Sequence, residues 1–264
     1  MVGDSFLTTY MGMDSTTMIG SDNIDLFVGV YLSMLMEMRR AIDSKPLLKD
    51  SMYLMADMPS GSADHVDKAL RNAERMYKFG ADTLKLETPT SKELVILEEL
   101  ASAGYLVFAH VGYTPQTGGK KSRAFDIEDA KEILNQIKRA KSAGVIGIVL
   151  EGVSTIFLEA VSKEYSDLAI YSIFSGHAPC TGLSLNIWDS VYKPNFQARY
   201  FPDTATIDQS TFPSTYTSNA ISSHFWHVCR SVIEKSYPKF RKSESCQELI
   251  HWLEKETNKE AITL

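Results

Sequence analysis

Four apolar runs in this chain end in an acid or a base: Met55-Ala56-Asp57, Leu84-Lys85-Leu86-Glu87, Phe108-Ala109-His110 and Val149-Leu150-Glu151. A run of this kind reads as a buried strand whose last side chain leaves the core. Brought to one rim, the four ends would put carboxylates, an amine and an imidazole within reach of one another, and that composition belongs to an enzyme. Asp57 and Glu87, joined by Asp4 of Val2-Gly3-Asp4-Ser5, offer only oxygen ligands. Such a set suits a hard cation such as Mg²⁺, which keeps water and substrate oxygens as its remaining ligands. Taken singly, a strand-end acid more often caps the next helix or pairs with a surface lysine. Three at equivalent strand ends point to a metal.

Lys85 lies two residues before Glu87, so on a strand both face the same way. A lysine aimed into a barrel mouth neutralises a substrate carboxylate or a developing enolate oxygen, or, once desolvated, forms a Schiff base. The plainer alternative is a lysine snorkelling beside Glu87. Glu151 ends a strongly apolar run, where desolvation disfavours the charged form and raises its basicity toward that of a useful general base. Its alternative is a cap for a helix beginning near Ser154. His110 opens Val111-Gly112-Tyr113-Thr114-Pro115-Gln116 and a long loop through Gly118, Gly119, Lys120 and Lys121. That loop is a candidate lid with two lysines suited to an anionic tail. Position assigns His110 to the site and leaves its role open. His224 and His227, beside Phe225 and Trp226, read as a packed aromatic helix face before they read as a metal pair. Met11, Met13, Met18, Met34, Met36 and Met38 read as adaptable core. Ser175-Gly176-His177 lacks the full Gly-x-Ser-x-Gly of a hydrolase elbow.

The elements that must position these groups are legible in the spacing. From Val66 the apolar or small positions run Ala69, Leu70, Ala73, Met76 and Tyr77; from Ile127 they run Ala130, Ile133, Leu134, Ile137 and Ala140. Both are helical stripes. Gly80, Gly104 and Gly144 each stop a helix and feed the next strand. Strands are expected near 2–3, 52–56, 83–86, 106–109, 146–150, 169–174 and 183–188, which makes seven where a (β/α) barrel has eight. The expected fold is therefore an α/β, TIM-type (β/α) barrel over residues 1–200 without its first strand–helix unit. Beyond Trp188 the prolines Pro194, Pro202 and Pro213 mark an irregular connection. Helices near 219–235 and 243–256 follow, so residues 201–264 form a C-terminal extension packed on the barrel.

At 264 residues, with 44% hydrophobic and 23% charged side chains, the chain has ample core for one such domain. A net charge of −6 argues against a nucleic-acid surface. No apolar run approaches the roughly 20 residues of a membrane span, and the first residues lack the plan of a signal peptide. Cys180, Cys229 and Cys246, odd in number and widely spaced, suit reduced thiols and a cytoplasmic protein.

The strings add up to a resemblance. Val2-Gly3-Asp4-Ser5, Met11-Gly12-Met13-Asp14-Ser15-Thr16, Ala56-Asp57-Met58-Pro59-Ser60-Gly61-Ser62, Leu84-Lys85-Leu86-Glu87, His110-Val111-Gly112-Tyr113-Thr114-Pro115-Gln116 and Val149-Leu150-Glu151-Gly152-Val153 stand in the order seen in the ketopantoate hydroxymethyltransferase family. The resemblance spans residues 2 to about 200. It implies a (β/α)₈ barrel, usually a homo-oligomer, that binds Mg²⁺ and transfers a one-carbon unit from 5,10-methylenetetrahydrofolate to 3-methyl-2-oxobutanoate in pantothenate synthesis. Carried over by position, Asp4 and Asp57 would hold the metal, with Glu87 near it through water. Asp4, Ser5, Asp57 and Lys85 would surround the oxo acid. Glu151 would remove the proton at C3, and His110 would sit at the edge.

The chain also departs from that pattern. It begins at the Val-Gly-Asp-Ser strand, which leaves Asp4 near a terminus. Tyr171-Ser172-Ile173-Phe174-Ser175-Gly176 replaces a glycine-rich strand end, so Phe174 is expected to narrow the substrate rim. Cys180-Thr181-Gly182-Leu183 replaces the family's Asp-Gly-Gln, and Glu151-Gly152-Val153-Ser154 its Glu-Cys-Val-Pro, whereas Asp189 matches the acid ending the last strand. Two other classes stay open: a metal-dependent carbon–carbon lyase or aldolase on the same scaffold, and an inactive barrel subunit. The first lacks a Lys-x-Cys-Gly-His string; the second sits poorly with Lys85, Glu87, His110 and Glu151 all being present.

Overall fold

The computed structural model describes residues 1–5, 9, 11–13, 16, 19, 24–118, 120, 123–179, 181–185, 217–236 and 247–260. Within them lies a parallel sheet in chain order: β1 (Met55–Asp57), β2 (Thr83–Glu87), β3 (Val107–Gly112), β4 (Gly147–Glu151), β5 (Ala169–Ile173) and β6 (Gly182–Leu183). Ahead of β1, Val2 pairs with Ala56 as a single parallel bridge, with Val2 N donating to Met55 O at 2.9 Å and Asp57 N to Val2 O at 3.0 Å. The seven extended segments read from the sequence are thus six strands and a bridge, curled as part of a TIM-type barrel. Residues 186–188 of the last expected strand, Asp189 and the proline-rich connection lie outside the described residues.

Helices α2 (Val66–Lys78), α3 (Ser91–Ser102), α4 (Ile127–Ser142) and α5 (Thr155–Glu164) return the chain between successive strands from β1 to β5. The first three stop at the expected glycines, at φ 107° for Gly80, 87° for Gly104 and 89° for Gly144, a region where a Cβ would be strained, and α5 stops at Tyr165. Their starts are capped locally. Thr90 and Glu93 form a capping box on α3, Asp126 caps α4 and Ser154 caps α5.

Alternation along each strand divides the sheet into two faces. Leu84, Leu86, Val107, Ala109, Val111, Ile148, Leu150 and Ile170 join the buried cluster that includes Leu97, Leu100, Ile133, Ile137, Phe157 and Leu158 of the helices. The alternate residues, Asp57, Lys85, Glu87, Phe108, His110, Val149, Glu151, Tyr171 and Ile173, line an interior cavity of about 700 Å³.

A 20-residue helix that the strand pattern did not reveal, α1 (Ile24–Asp43), buries Phe27, Val28, Tyr31, Leu32 and Leu35. Its Tyr31 hydroxyl donates to Val2 O at 2.6 Å. Met34 and Met38 of this helix and Met13 pack half-buried against the core, but Met11 is exposed and Met18 lies outside the described residues. At the other end, α6 (Ser218–Ser231) buries Val228 and Cys229, while Trp226 is 70% exposed, so the expected aromatic face is only partly packed. α7 (Gln247–Glu260) rests Leu249 and Leu253 against α4 and α5. Among the described residues no helix is long and apolar enough to cross a membrane.

Gly147 is where two strands come too close for a side chain. A Cβ there would sit 2.3 Å from Ala169 O and 2.2 Å from Cε1 of the Phe108 ring, which lies over the glycine. Gly147→Val is therefore expected to cost at least about 1–3 kcal/mol. Gly29→Ala, on an exposed stretch of α1 with open space around it, should stabilise by about 0.5–1 kcal/mol. Denaturant midpoints for the two variants check both signs.

Candidate active site

Strand register assembles the polar cluster. Asp57 pairs with Lys85 across β1 and β2, and Glu87 with His110 across β2 and β3. Lys85 Nζ lies 2.8 Å from Asp57 Oδ2 and 3.0 Å from His110 Nδ1. The other side of the imidazole meets β4, where His110 Nε2 stands 3.1 Å from Glu151 Oε2, close but not aligned as a hydrogen bond. Glu87 Oε1 is 3.7 Å from His110 Nδ1. Lys85, the most exposed of the five, is 5% accessible.

The plainer readings of these acids do not apply. Ser154 caps α5 with its own hydroxyl, Thr90 and Glu93 cap α3, and His65 caps α2, so Glu151, Glu87 and Asp57 cap nothing. The partner of Asp57 is a buried lysine on the next strand. Ser175, set aside as a nucleophile, ties strands together: its hydroxyl accepts from Val153 N and lies within hydrogen-bond distance of Leu150 O and Ile173 O.

Asp4 is also buried, and the residue that holds it was not singled out in the sequence. Gln116 Nε2 donates to Asp4 Oδ2 and to Met58 O, both at 2.9 Å, while Gln116 N donates to Glu87 Oε2 at 3.1 Å. A glutamine in a polar loop carries no signal of such a task. The loop itself starts at Gly112, whose φ of 96° and 2.3 Å clearance between a would-be Cβ and Glu151 O admit only glycine. Arg123 fastens its return, donating from Nη1 to Gly112 O at 3.0 Å and from N to Gly152 O at 2.9 Å. Lys120 pairs with Asp126 on the surface and does not line the cavity; Lys121 lies outside the described residues. Ser5 lines the cavity beside Asp4.

Two rings floor the cluster. Phe108 lies over Gly147 and Tyr171 over Gly182, with ring centroids 5.8 Å apart. Tyr171 and Ile173 line the cavity, whereas Phe174 does not. It turns away at φ 53°, keeping a glycine-like backbone in the place where the family has glycines. Ile173 is thus the bulky side chain at this rim, in place of the Phe174 expected from sequence.

Burial sets the electrostatics. It pushes the Asp57 carboxyl up to about 7, helped by the charge of Asp4 and opposed by Lys85. It pushes Glu151 up to about 8, opposed by Lys85 and reinforced by Asp4 and Asp57, and holds Glu87 well above the carboxylate range. Burial and then the Lys85 charge keep His110 well below its ordinary value. For Lys85 burial works the other way, but Asp57, Asp4 and Glu87 outweigh it and the amine is held protonated. Held as an ammonium, Lys85 has hydrogens to offer Asp57 and His110 and no lone pair to attack a carbonyl.

The donor set fits a divalent cation. Asp57 Oδ1 is buried without a hydrogen-bond partner, and the Asp4 carboxyl adjoins that of Asp57. Two facing carboxylates with an orphaned oxygen gain most from a cation between them. Among the described residues no three acidic, histidine or cysteine side chains are preassembled as a metal cage.

The ketopantoate hydroxymethyltransferase family model matches residues 1–225. A 3-methyl-2-oxobutanoate hydroxymethyltransferase of Ignicoccus hospitalis is 31% identical over 212 residues, covering 76% of this chain and 73% of its own. One from Pyrobaculum neutrophilum is 31% identical over 220 residues, covering 80% and 77%. One from Helicobacter hepaticus is 35% identical over 160 residues, covering 56% and 59%. Among solved structures, 2,3-dimethylmalate lyase, a PEP mutase/isocitrate lyase superfamily member, is 13% identical at a TM-score of 0.36, covering 81% of this chain and 71% of its own.

The buried acids make stability depend on pH. Asp57, Glu87 and Glu151 bind protons more tightly folded than unfolded. Each therefore stabilises fully at low pH and loses that contribution as pH rises through its folded value, about 7 for Asp57 and about 8 for Glu151. His110 is depressed and works oppositely, costing stability only below about 6.5. Without divalent cations the unfolding free energy should fall from pH 6.5 to 8.5, by about 1.4 kcal/mol per pH unit for each proton released, and the melting temperature with it. Glu151→Gln should flatten the upper part of that slope in a thermal scan. A wild-type profile level across this window would contradict the assignment.

Proposed function

This chain belongs to the ketopantoate hydroxymethyltransferase family, a family of transferase enzymes, and from that premise we propose that it moves a hydroxymethyl group from 5,10-methylenetetrahydrofolate to 3-methyl-2-oxobutanoate or a close 2-oxo acid. The observation that carries the reading is one cavity faced by two kinds of group. A charged pair, Lys85 with Asp57, stands on one side, and the basic carboxylate of Glu151 on the other.

In this reading Asp4 and Asp57 hold Mg²⁺, with Glu87 near it. Bound there, the ion polarises the 2-oxo group and stabilises negative charge that develops on its oxygen. Lys85 and Ser5 bind the substrate carboxylate. Glu151 takes the C3 proton, and its buried surroundings keep it basic enough to do so near neutral pH. The electron pair left at C3 bonds to the methylene carbon, water supplies the hydroxyl on that carbon, both carbon–nitrogen bonds of the bridge break, and the C3 proton and the second water proton end on the two nitrogens of the departing tetrahydrofolate. Phe108, Tyr171 and Ile173 form the apolar side against which the branched substrate rests. Residues 1–200 make up this catalytic barrel and 201–264 its extension, working in the cytoplasm. A homo-oligomer is the working state in this reading.

Exchange of the C3 proton tests this without folate. In deuterated water with Mg²⁺, 3-methyl-2-oxobutanoate should lose its C3 proton signal in NMR, at a rate that climbs with pH until Glu151 is fully ionised. Asp57→Asn should lose Mg²⁺ binding by calorimetry. Glu151→Gln should keep that binding and slow exchange about 10²–10⁴-fold. Exchange at the wild-type rate in Glu151→Gln would remove that residue from the role of base.

A further inference from the structure

The role of His110 follows from which of its neighbours can donate. Lys85 Nζ lies 3.0 Å from His110 Nδ1. An ammonium carries three hydrogens and no lone pair, so in this contact it donates and Nδ1 accepts. A neutral imidazole with a bare Nδ1 carries its proton on Nε2. Of the other polar groups against the ring, the Tyr113 carbonyl accepts, and Glu151 accepts at Oε2 once it is ionised. Glu151 Oε2 stands 3.1 Å from Nε2, the Tyr113 carbonyl faces the ring, and Glu87 Oε1 lies 3.7 Å from Nδ1, beyond hydrogen-bond reach. The ring is 1% exposed, and β3 pairing fixes its backbone on both sides.

We propose that His110 is a positioning residue: Lys85 locks it as the neutral Nε2–H tautomer, and it presents that N–H to the Glu151 carboxylate, steadying the base. The assignment of Glu151 as the base rests on the function proposed above; the tautomer does not. The burial and positive neighbour that disfavour the imidazolium support the neutral ring. At 3.1 Å the approach is close but not aligned as a hydrogen bond, and a small rotation of the Glu151 carboxylate would complete it. A chain of ammonium, imidazole and carboxylate on three adjacent strands thereby links the charge that binds substrate to the group that deprotonates it. Nothing in this arrangement requires His110 to exchange a proton itself.

Nitrogen-15 NMR of the histidine-labelled protein reads the tautomer directly, with the His110→Gln spectrum assigning the resonance. A bare Nδ1 and a protonated Nε2 are expected. A protonated Nδ1, whether as the other tautomer or as imidazolium, would overturn the proposal. Kinetics provide the second arm, using C3 proton exchange at saturating oxo acid. Gln places an amide N–H where Nε2 stood and should keep exchange within about tenfold, whereas Asn places it where Nδ1 stood and should lose about 100-fold in kcat with KM little changed. Equal losses in both variants, each folded by its melting temperature, would also overturn it. If the wild-type protein showed the expected tautomer but no exchange, the proposed reaction would fail and the locked imidazole would stand.

Discussion

One buried ammonium makes this interior possible. Asp4, Asp57, Glu87 and Glu151 all lie within the field of Lys85, and each would be costly to bury without a positive charge among them. Lys85 does not satisfy them all. It pairs with Asp57, turns a second hydrogen to His110, and leaves Asp57 Oδ1 without a partner. The cluster is therefore held together yet left short of positive charge, a condition that a bound cation would relieve. The strand register that puts Asp57 opposite Lys85 and His110 opposite Glu87 is the constraint from which the remaining geometry follows.

The field is strong because its surroundings are poorly polarisable. Gly147 and Gly182 leave room for the Phe108 and Tyr171 rings to pack closely over the neighbouring strands, so carbon lines the cavity beside the charges. A side chain at either glycine would tilt a ring into the cavity. Sterics on the floor and basicity at the rim are thus one design, and the raised carboxyls of Asp57 and Glu151 owe more to burial than to any single neighbour.

Much of this was legible in the sequence. An apolar run ending in a charge marks a buried strand with a functional tip, which is why Asp57, Lys85, Glu87, His110 and Glu151 could be picked out and why they line one cavity. Glycine stops were legible because Gly80, Gly104 and Gly144 meet a backbone need that other residues meet poorly. Helix α1 was not read from the sequence, although Phe27, Val28, Tyr31, Leu32 and Leu35 carry a buried stripe at helical spacing. Gln116 escaped because its task is defined only by what it reaches, residues 29, 58 and 112 positions away. The misjudged rim at Phe174 has a similar cause: residue size is written in the sequence, but a φ of 53° that turns the ring aside is not.

The Gln116 contact with Asp4 spans 112 positions of the chain, whereas each strand pairing from β1 to β6 joins neighbours in sequence. Short-range pairings close cheaply and early; a pairing of that span bears the larger loop entropy and closes after them. The sheet can thus zip from strand to strand while Asp4 is still unplaced, and the oxygen seat for a cation is completed last. If Asp4 and Asp57 hold a cation as proposed, ion affinity would serve as a clock for the end of folding: a chain arrested with its strands formed but its first residues loose would have nearly the native spectrum and a weakened grip on the metal.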